Sequence, residues 1–87
     1  MHLGKVNFHM VRLDQVEENK CCWVCHIDGD DVSVGKLLPM GISVGNPIEI
    51  IYNRRFIPML ICVGDSIVAI DRRKAQKIFV EEGGSDR

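Results

Sequence analysis

Short apolar segments separated by turn-forming residues run along this chain, and they limit its fold more than any other feature. The longest apolar run, residues 56–63, has eight residues and contains Pro58. A membrane-spanning helix needs about 18–20 apolar residues, whereas strands of small sheets need only about 4–8. The pattern therefore predicts a small, mostly β domain, with no direct insertion into a membrane.

Alternation of apolar and polar residues predicts five strands and two short helical segments. The helical segments are a short helix over 32–40, in which Pro39 favours a loosened or 3₁₀-like last turn, and a single turn over 72–76, with Asp71 as its cap. Five short strands with glycine-containing turns indicate a small barrel. The predicted strands cover residues 21–28, 47–53, 56–63, 66–70 and 77–80. Pro58 near the start of the third strand indicates an edge position.

The length of 87 residues allows one domain, flanked by two short segments. Residues 1–11 read as an N-terminal arm, in which Val6, Phe8 and Met10 alternate with polar residues as a strand would. Residues 12–80 form the predicted domain, and residues 81–87 have the composition of a disordered tail. The arm lacks a signal-peptide pattern, so we expect a cytoplasmic protein. The arm and the edge near Pro58 are candidate surfaces for a homodimer.

The first strand carries three of the four cysteines and the only tryptophan. Strand alternation places Cys21, Trp23, Cys25 and Ile27 on one apolar face, and we expect Trp23 to lie in the core. The string from Cys22 to His26 makes Cys22, Cys25 and His26 candidate ligands for iron or zinc. In a strand, however, the two cysteines point to opposite faces about 10 Å apart, too far to share a metal. We therefore expect no metal site here, and cysteines that serve packing.

The charge is small overall but uneven along the chain. The net charge of −1 argues against a nucleic-acid-binding protein. Residues 36–80, however, contain seven Lys or Arg against three Asp or Glu. Such a bipolar surface favours oriented contact with an acidic partner. The candidate contact residues are Arg54, Arg55, Arg72, Arg73 and Lys74.

Residue patterns typical of enzymes are missing from the sequence. There is no glycine-rich phosphate loop followed by Lys and Ser or Thr, which excludes a GTPase. A set of Ser33, His26 and Asp28 could be composed, but nothing in the sequence organises it as a triad. We therefore expect a protein that is not an enzyme.

At the predicted helix end, the leucine pair Leu37 and Leu38 is followed by Gly41 and Gly45, ahead of a strand of alternating aliphatic residues. In residue types and spacing this motif resembles the FeoA family of ferrous-iron-transport proteins. Residues 64–80, which include Ala75, are similar to the closing segment of the family. The resemblance covers about residues 12–80. Gly41 suits the end of a helix, and Gly45 suits the turn into the next strand.

The sequence departs from the family pattern in three places. A glycine usual before the first strand is replaced near Glu18 and Asn19, and an arginine common on the helix is absent near Val34 or Gly35. The loop after the second strand is shortened to residues 53–55.

The resemblance implies an SH3-like barrel and a regulatory role without enzymatic activity. It implies an accessory protein of ferrous iron transport that binds the cytosolic GTPase part of a FeoB-like membrane iron permease. The alternative is an SH3-like domain that binds or senses a transition metal. A third class, a thiol redox enzyme, would require a reactive cysteine of low pKa.

Overall fold

A computed structural model describes residues 10–83 of the chain. This part contains six strands, two short α-helices and two 3₁₀ turns, at Leu13–Gln15 and Leu38–Met40. The helices are α1 (Asp31–Gly35) and α2 (Arg72–Ala75). The strands are β1 (Met10–Arg12), β2 (Cys21–Ile27), β3 (Pro47–Tyr52), β4 (Met59–Val63), β5 (Ser66–Ile70) and β6 (Ile78–Glu82). No helix in this part of the chain is long and apolar enough to cross a membrane.

The six strands form one antiparallel sheet in the order β1-β6-β2-β3-β4-β5. The predicted class, mostly β with one short helix and one helical turn before the last strand, is confirmed. Over residues 10–83 the sheet does not close into a full barrel, because no pairing joins β1 to β5. Met10 and Val11 of the predicted arm lie in β1, and Glu81 and Glu82 of the predicted tail lie in β6. Residues 1–9 and 84–87 lie outside the described part.

One apolar core lies on the inner face of the sheet and is covered by the first 3₁₀ turn and the segment after α1. Alternate residues of β3 and β4 point inwards, as a period of two requires. Each buried aliphatic side chain stabilises the fold by roughly 1.5–3 kcal/mol. The members with no more than 1% exposure are Leu13, Val16, Cys22, Ile42, Ile48, Ile50, Met59, Ile61, Ile70, Ala75, Ile78 and Val80.

The predicted inner face of β2 is wrong. Cys22 and Val24 are buried, whereas Trp23 is 45% exposed on the outer face. Both faces of this strand are apolar enough to belong to the core, so the pairing with β3 decides which face is buried. Cys22 lies opposite the buried Ile48 of β3 and therefore points inwards. The indole ring of Trp23 instead packs over the backbone of Gly83, where an added Cβ would lie 2.6 Å from it.

The irregular end of the predicted helix is confirmed. After α1 the chain passes into a 3₁₀ turn that contains Pro39 and ends at Gly41, whose φ is 84°. Leu37 is buried, while Leu38 is exposed. Gly41 can adopt this left-handed conformation because it has no Cβ.

The predicted edge strand at residues 56–63 is wrong in its start and in its position. β4 begins at Met59, after Pro58, and lies between β3 and β5. Pro58 has no amide to donate to a neighbouring strand, and Phe56 has a φ of 70° that no strand contains. Residues 53–58 therefore form a loop, and the edge on this side of the sheet is β5.

Asn19 lies in the turn before β2, where the family resemblance leads us to expect a glycine near Glu18 and Asn19. Its φ is 71°, in the left-handed region that asparagine tolerates better than most residues. Its amide donates to the carbonyl of Ile50 at 2.7 Å, and the Ile50 amide donates to Lys20 at 2.9 Å. The substitution therefore keeps the turn and its attachment to β3.

Candidate partner-binding loop and basic cleft

The loop between β3 and β4, residues 53–58, is fastened to the segment that precedes β2. The side-chain amide of Asn53 donates to the carbonyls of Asp14 and Val16, at 3.0 and 2.7 Å. Its backbone amide donates to Oε2 of Glu18 at 2.7 Å. We call residues 53–58 the anchored loop, because these bonds fix its first residue.

Arg54 is held inside this arrangement. Its Nε donates to the same Glu18 oxygen at 2.9 Å, and its guanidinium lies 4.8 Å from the centre of the Tyr52 ring. The bond from Arg54, followed by the Asn53 amide, holds the pKa of Glu18 below its ordinary value. The same ion pair raises the pKa of Arg54.

Arg72 fastens the other side of the anchored loop. Asp71 caps α2 by accepting from the Arg73 amide at 3.2 Å, and this places Arg72 against the loop. Its Nη1 donates to the carbonyls of Arg54 and Ile57 at 3.0 and 3.4 Å. Its Nη2 donates to the carbonyl of Asp14 at 3.4 Å. Arg54 and Arg72, both predicted to contact a partner, are thus engaged within the chain.

The tip of the anchored loop points into solvent. Phe56 is 91% exposed, and Ile57 beside it is 39% exposed. The guanidinium of Arg55 lies 5.8 Å from the centre of the Phe56 ring. The left-handed conformation of Phe56 costs a residue with a Cβ roughly 1–2 kcal/mol. The hydrogen bonds of Arg72 fix the carbonyls of Arg54 and Ile57 on either side of it. Arginine and aromatic residues, phenylalanine among them, are both enriched at protein interfaces.

Arg73 and Lys74 lie elsewhere, in a concave site that we call the basic cleft. The cleft has a volume of about 130 Å³ and lies where the segment after α1 meets the turn between α2 and β6. It is lined by Asp28, Lys36, Leu37, Arg73, Lys74 and Lys77. Sequence reasoning missed Lys36 and Lys77. The only signal was the basic excess of residues 36–80, because the segments that carry these lysines meet only in three dimensions.

The structure does not bring the candidate metal ligands of β2 together. Cys22 is buried, its Sγ lies 3.6 Å from the carbonyl of Ile48, and burial raises the pKa of the thiol to about 12. Cys25 lies at a bulge, with its Sγ 3.7 Å from the carbonyl of Trp23. Nε2 of His26 lies 2.7 Å from Oδ1 of Asp28. Across residues 10–83, no group of three or more His, Cys, Asp or Glu side chains could hold a metal ion.

The sequence profile of the FeoA domain matches residues 11–82. The chain belongs to the FeoA family. A search among curated proteins finds no significant match.

Solved structures agree with this assignment. The crystal structure of an iron uptake regulatory protein, FeoA, is 26% identical, with a TM-score of 0.82 over 85% of this chain and 99% of that one. A FeoA-like protein from Clostridium acetobutylicum is 20% identical, with a TM-score of 0.77 over 94% and 95%. A manganese-dependent transcriptional repressor is 18% identical, with a TM-score of 0.81 over 90% of this chain, which matches only 44% of the repressor. The predicted SH3-like FeoA fold is confirmed, and with it membership of a family of small accessory domains linked to ferrous iron transport.

Proposed function

We propose that this FeoA domain is a cytoplasmic regulatory protein of ferrous iron transport. It binds the cytosolic GTPase part of a FeoB-like iron permease and hydrolyses no nucleotide itself. The observation that carries the proposal is the tip of the anchored loop, where Phe56 is almost fully exposed in a left-handed conformation beside Arg55.

The loop supports binding because it is ordered before a partner arrives. Asn53, Arg54 and Arg72 tie it to neighbouring segments through bonds of 2.7–3.4 Å. Ordering a loop on binding weakens affinity, so a loop that is already fixed keeps more of its contact energy. Phe56 is the apolar anchor of the contact, and Arg55 supplies the charge that an acidic surface attracts.

Calorimetric titration of this protein against the isolated GTPase domain of the permease tests the proposal. We expect saturable binding, and Phe56→Ala is expected to weaken it about 30-fold, since a hot-spot side chain contributes roughly 2 kcal/mol. Arg55→Gln should weaken it less and make it less sensitive to salt.

Val32→Ala is the matched control, because Val32 is an apolar side chain 67% exposed on α1, outside the anchored loop. Its affinity should equal that of the wild type. Absence of binding by the wild-type protein, or equal losses in Val32→Ala and Phe56→Ala, would contradict the proposal.

A further inference from the structure

The basic cleft gathers positive charge that the described chain leaves uncompensated. Within residues 10–83, the side chains of Lys36, Arg73, Lys74 and Lys77 have no ion pair or side-chain hydrogen bond. The acidic side chain that lines the cleft, Asp28, has its Oδ1 2.7 Å from His26. The chain as a whole carries a net charge of −1, so this cluster does not follow from a generally basic composition.

Backbone hydrogen bonds hold the lining residues in place. The amide of Asp28 donates to the carbonyl of Lys77 at 2.8 Å, and the amide of Lys77 donates to Lys74 at 3.0 Å. On the opposite wall, the amide of Lys36 donates to Val32 at 3.2 Å. The cations therefore extend from two fixed segments of the backbone.

The size and walls of the cleft favour a compact anion. Its volume of about 130 Å³ compares with roughly 10–15 Å³ for a single water molecule. Leu37, which is 4% exposed, contributes an apolar wall, and a wall of low dielectric constant strengthens the field inside a cleft. A small multivalent ion fits into a concave site of this size, whereas a flat membrane surface or a folded protein does not enter it as readily.

From these observations we propose that the basic cleft binds phosphate groups. The cleft has four cationic side chains and one carboxylate, that of Asp28, which also contacts His26. This charge balance suits a compact dianion or a pyrophosphate better than a ligand with a single carboxylate. Lysine ammonium and arginine guanidinium groups both pair well with phosphate oxygens. The proposal does not depend on binding to the permease, because the anchored loop contributes none of the lining residues.

Titration with inorganic phosphate and with pyrophosphate, followed by amide chemical shifts at constant ionic strength, tests the proposal. We expect saturable shifts at residues 28, 36–37 and 73–77, with pyrophosphate binding more tightly. Lys36→Gln and Lys77→Gln should each weaken pyrophosphate binding roughly three- to fivefold. Pyrophosphate should also raise the melting temperature of the wild type, as any ligand of the native state does.

Lys20→Gln is the matched control, since it removes one positive charge outside the cleft, where Lys20 lies 3.6 Å from Glu82. It should bind pyrophosphate like the wild type. Shifts that follow ionic strength alone, or equal losses in all three variants, would overturn the proposal.

Two further experiments distinguish a phosphate group on a lipid from one on a soluble compound. Cosedimentation with phosphatidylglycerol vesicles that is lost in Lys77→Gln would support the same chemistry on a lipid headgroup. Saturation by free pyrophosphate without cosedimentation would support a soluble phosphate compound. Tighter binding of a hexaglutamate peptide than of pyrophosphate would overturn the assignment to phosphate.

Discussion

Arg72 and Arg73 are neighbours on one helical turn, yet within residues 10–83 only the side chain of Arg72 makes hydrogen bonds. Its guanidinium donates to three backbone carbonyls, those of Asp14, Arg54 and Ile57. We expect Arg72→Ala to lower the free energy of unfolding by about 1–3 kcal/mol, because these charged hydrogen bonds are lost. Arg73→Ala should change it by less than about 0.5 kcal/mol. Urea denaturation measures both, and equal effects would contradict the role given to Arg72.

Glu18 makes the stability of the fold depend on pH in the acid range. Its lowered pKa means that its contribution to stability is present above the ordinary value of 4.5 and is lost as the pH falls through the lower, folded-state pKa. We expect Glu18→Gln to melt at a lower temperature than the wild type at pH 6, and the difference between the two proteins to shrink as the pH falls below 4.5. Glu17→Gln is the control, since Glu17 is exposed and lies 3.8 Å from Lys20. A constant difference across this pH range would contradict the assignment.

Cys22 is expected to resist thiol reagents while the protein is folded. Burial raises its pKa to about 12, so at pH 8 only about one thiol in ten thousand is ionised, and the side chain is inaccessible as well. Cys21 is exposed and should react first. Labelling with iodoacetamide, located by mass spectrometry before and after unfolding, measures this order. Equal native rates for the two cysteines would contradict the structure.

At the scale of elements, Gly41 and Gly45 both end turns in the left-handed region, with φ of 84° and 95°. They differ in their surroundings. A Cβ on Gly41 would lie 2.9 Å from Cγ1 of Val63, whereas one on Gly45 would meet nothing within 4 Å. Both substitutions by alanine add backbone strain of roughly 1–2 kcal/mol.

Gly41→Ala should therefore destabilise the protein more than Gly45→Ala, by about a further 1 kcal/mol or more from overpacking. Thermal and urea unfolding of the two variants give the comparison. Equal losses would show that Val63 moves aside freely.

The helix-to-strand segment is also where the sequence predicted structure best. Glycine spacing and a proline near the helix end are local signals, so the 3₁₀ turn and the start of β3 at Pro47 could be read directly. The inner face of β2 could not be predicted in this way, because both faces of the strand are apolar. Only the pairing with β3 places Cys22, and not Trp23, in the core.

The sequence could predict which basic residues belong to the candidate sites, but not where those residues lie relative to one another. The sequence identified five basic residues, but their distribution depends on contacts between distant segments. Arg54 and Arg72 bind carbonyl or carboxylate groups within the chain, Arg55 lies at the loop tip, and Arg73 and Lys74 line the cleft. Consecutive residues of a helical turn differ by about 100° in direction, so the side chains of one basic run can reach different surfaces, as those of Arg72 and Arg73 do.

At the scale of the whole molecule, the strand order predicts a gradient of protection from hydrogen exchange. β2 and β6 lie within the sheet, while β1 and β5 are its edges over residues 10–83. We expect the amides bonded between β2 and β6 to exchange most slowly, and those of β1 and β5 to exchange by local opening. Exchange followed by amide NMR at neutral pH measures the gradient. Protection of β5 equal to that of β2 would indicate that this edge is covered, for instance by a second copy of the chain.

The left-handed conformation of Phe56 places thermal stability in conflict with the proposed binding of the permease. Glycine at this position would relieve the backbone without disturbing the core, since the ring is 91% exposed. Laboratory evolution that rewarded thermal stability alone would therefore enrich glycine or asparagine at position 56. Under the proposed function, the evolved domains would survive heating better and bind the permease less well, so a screen meant to improve this protein needs both selections at once.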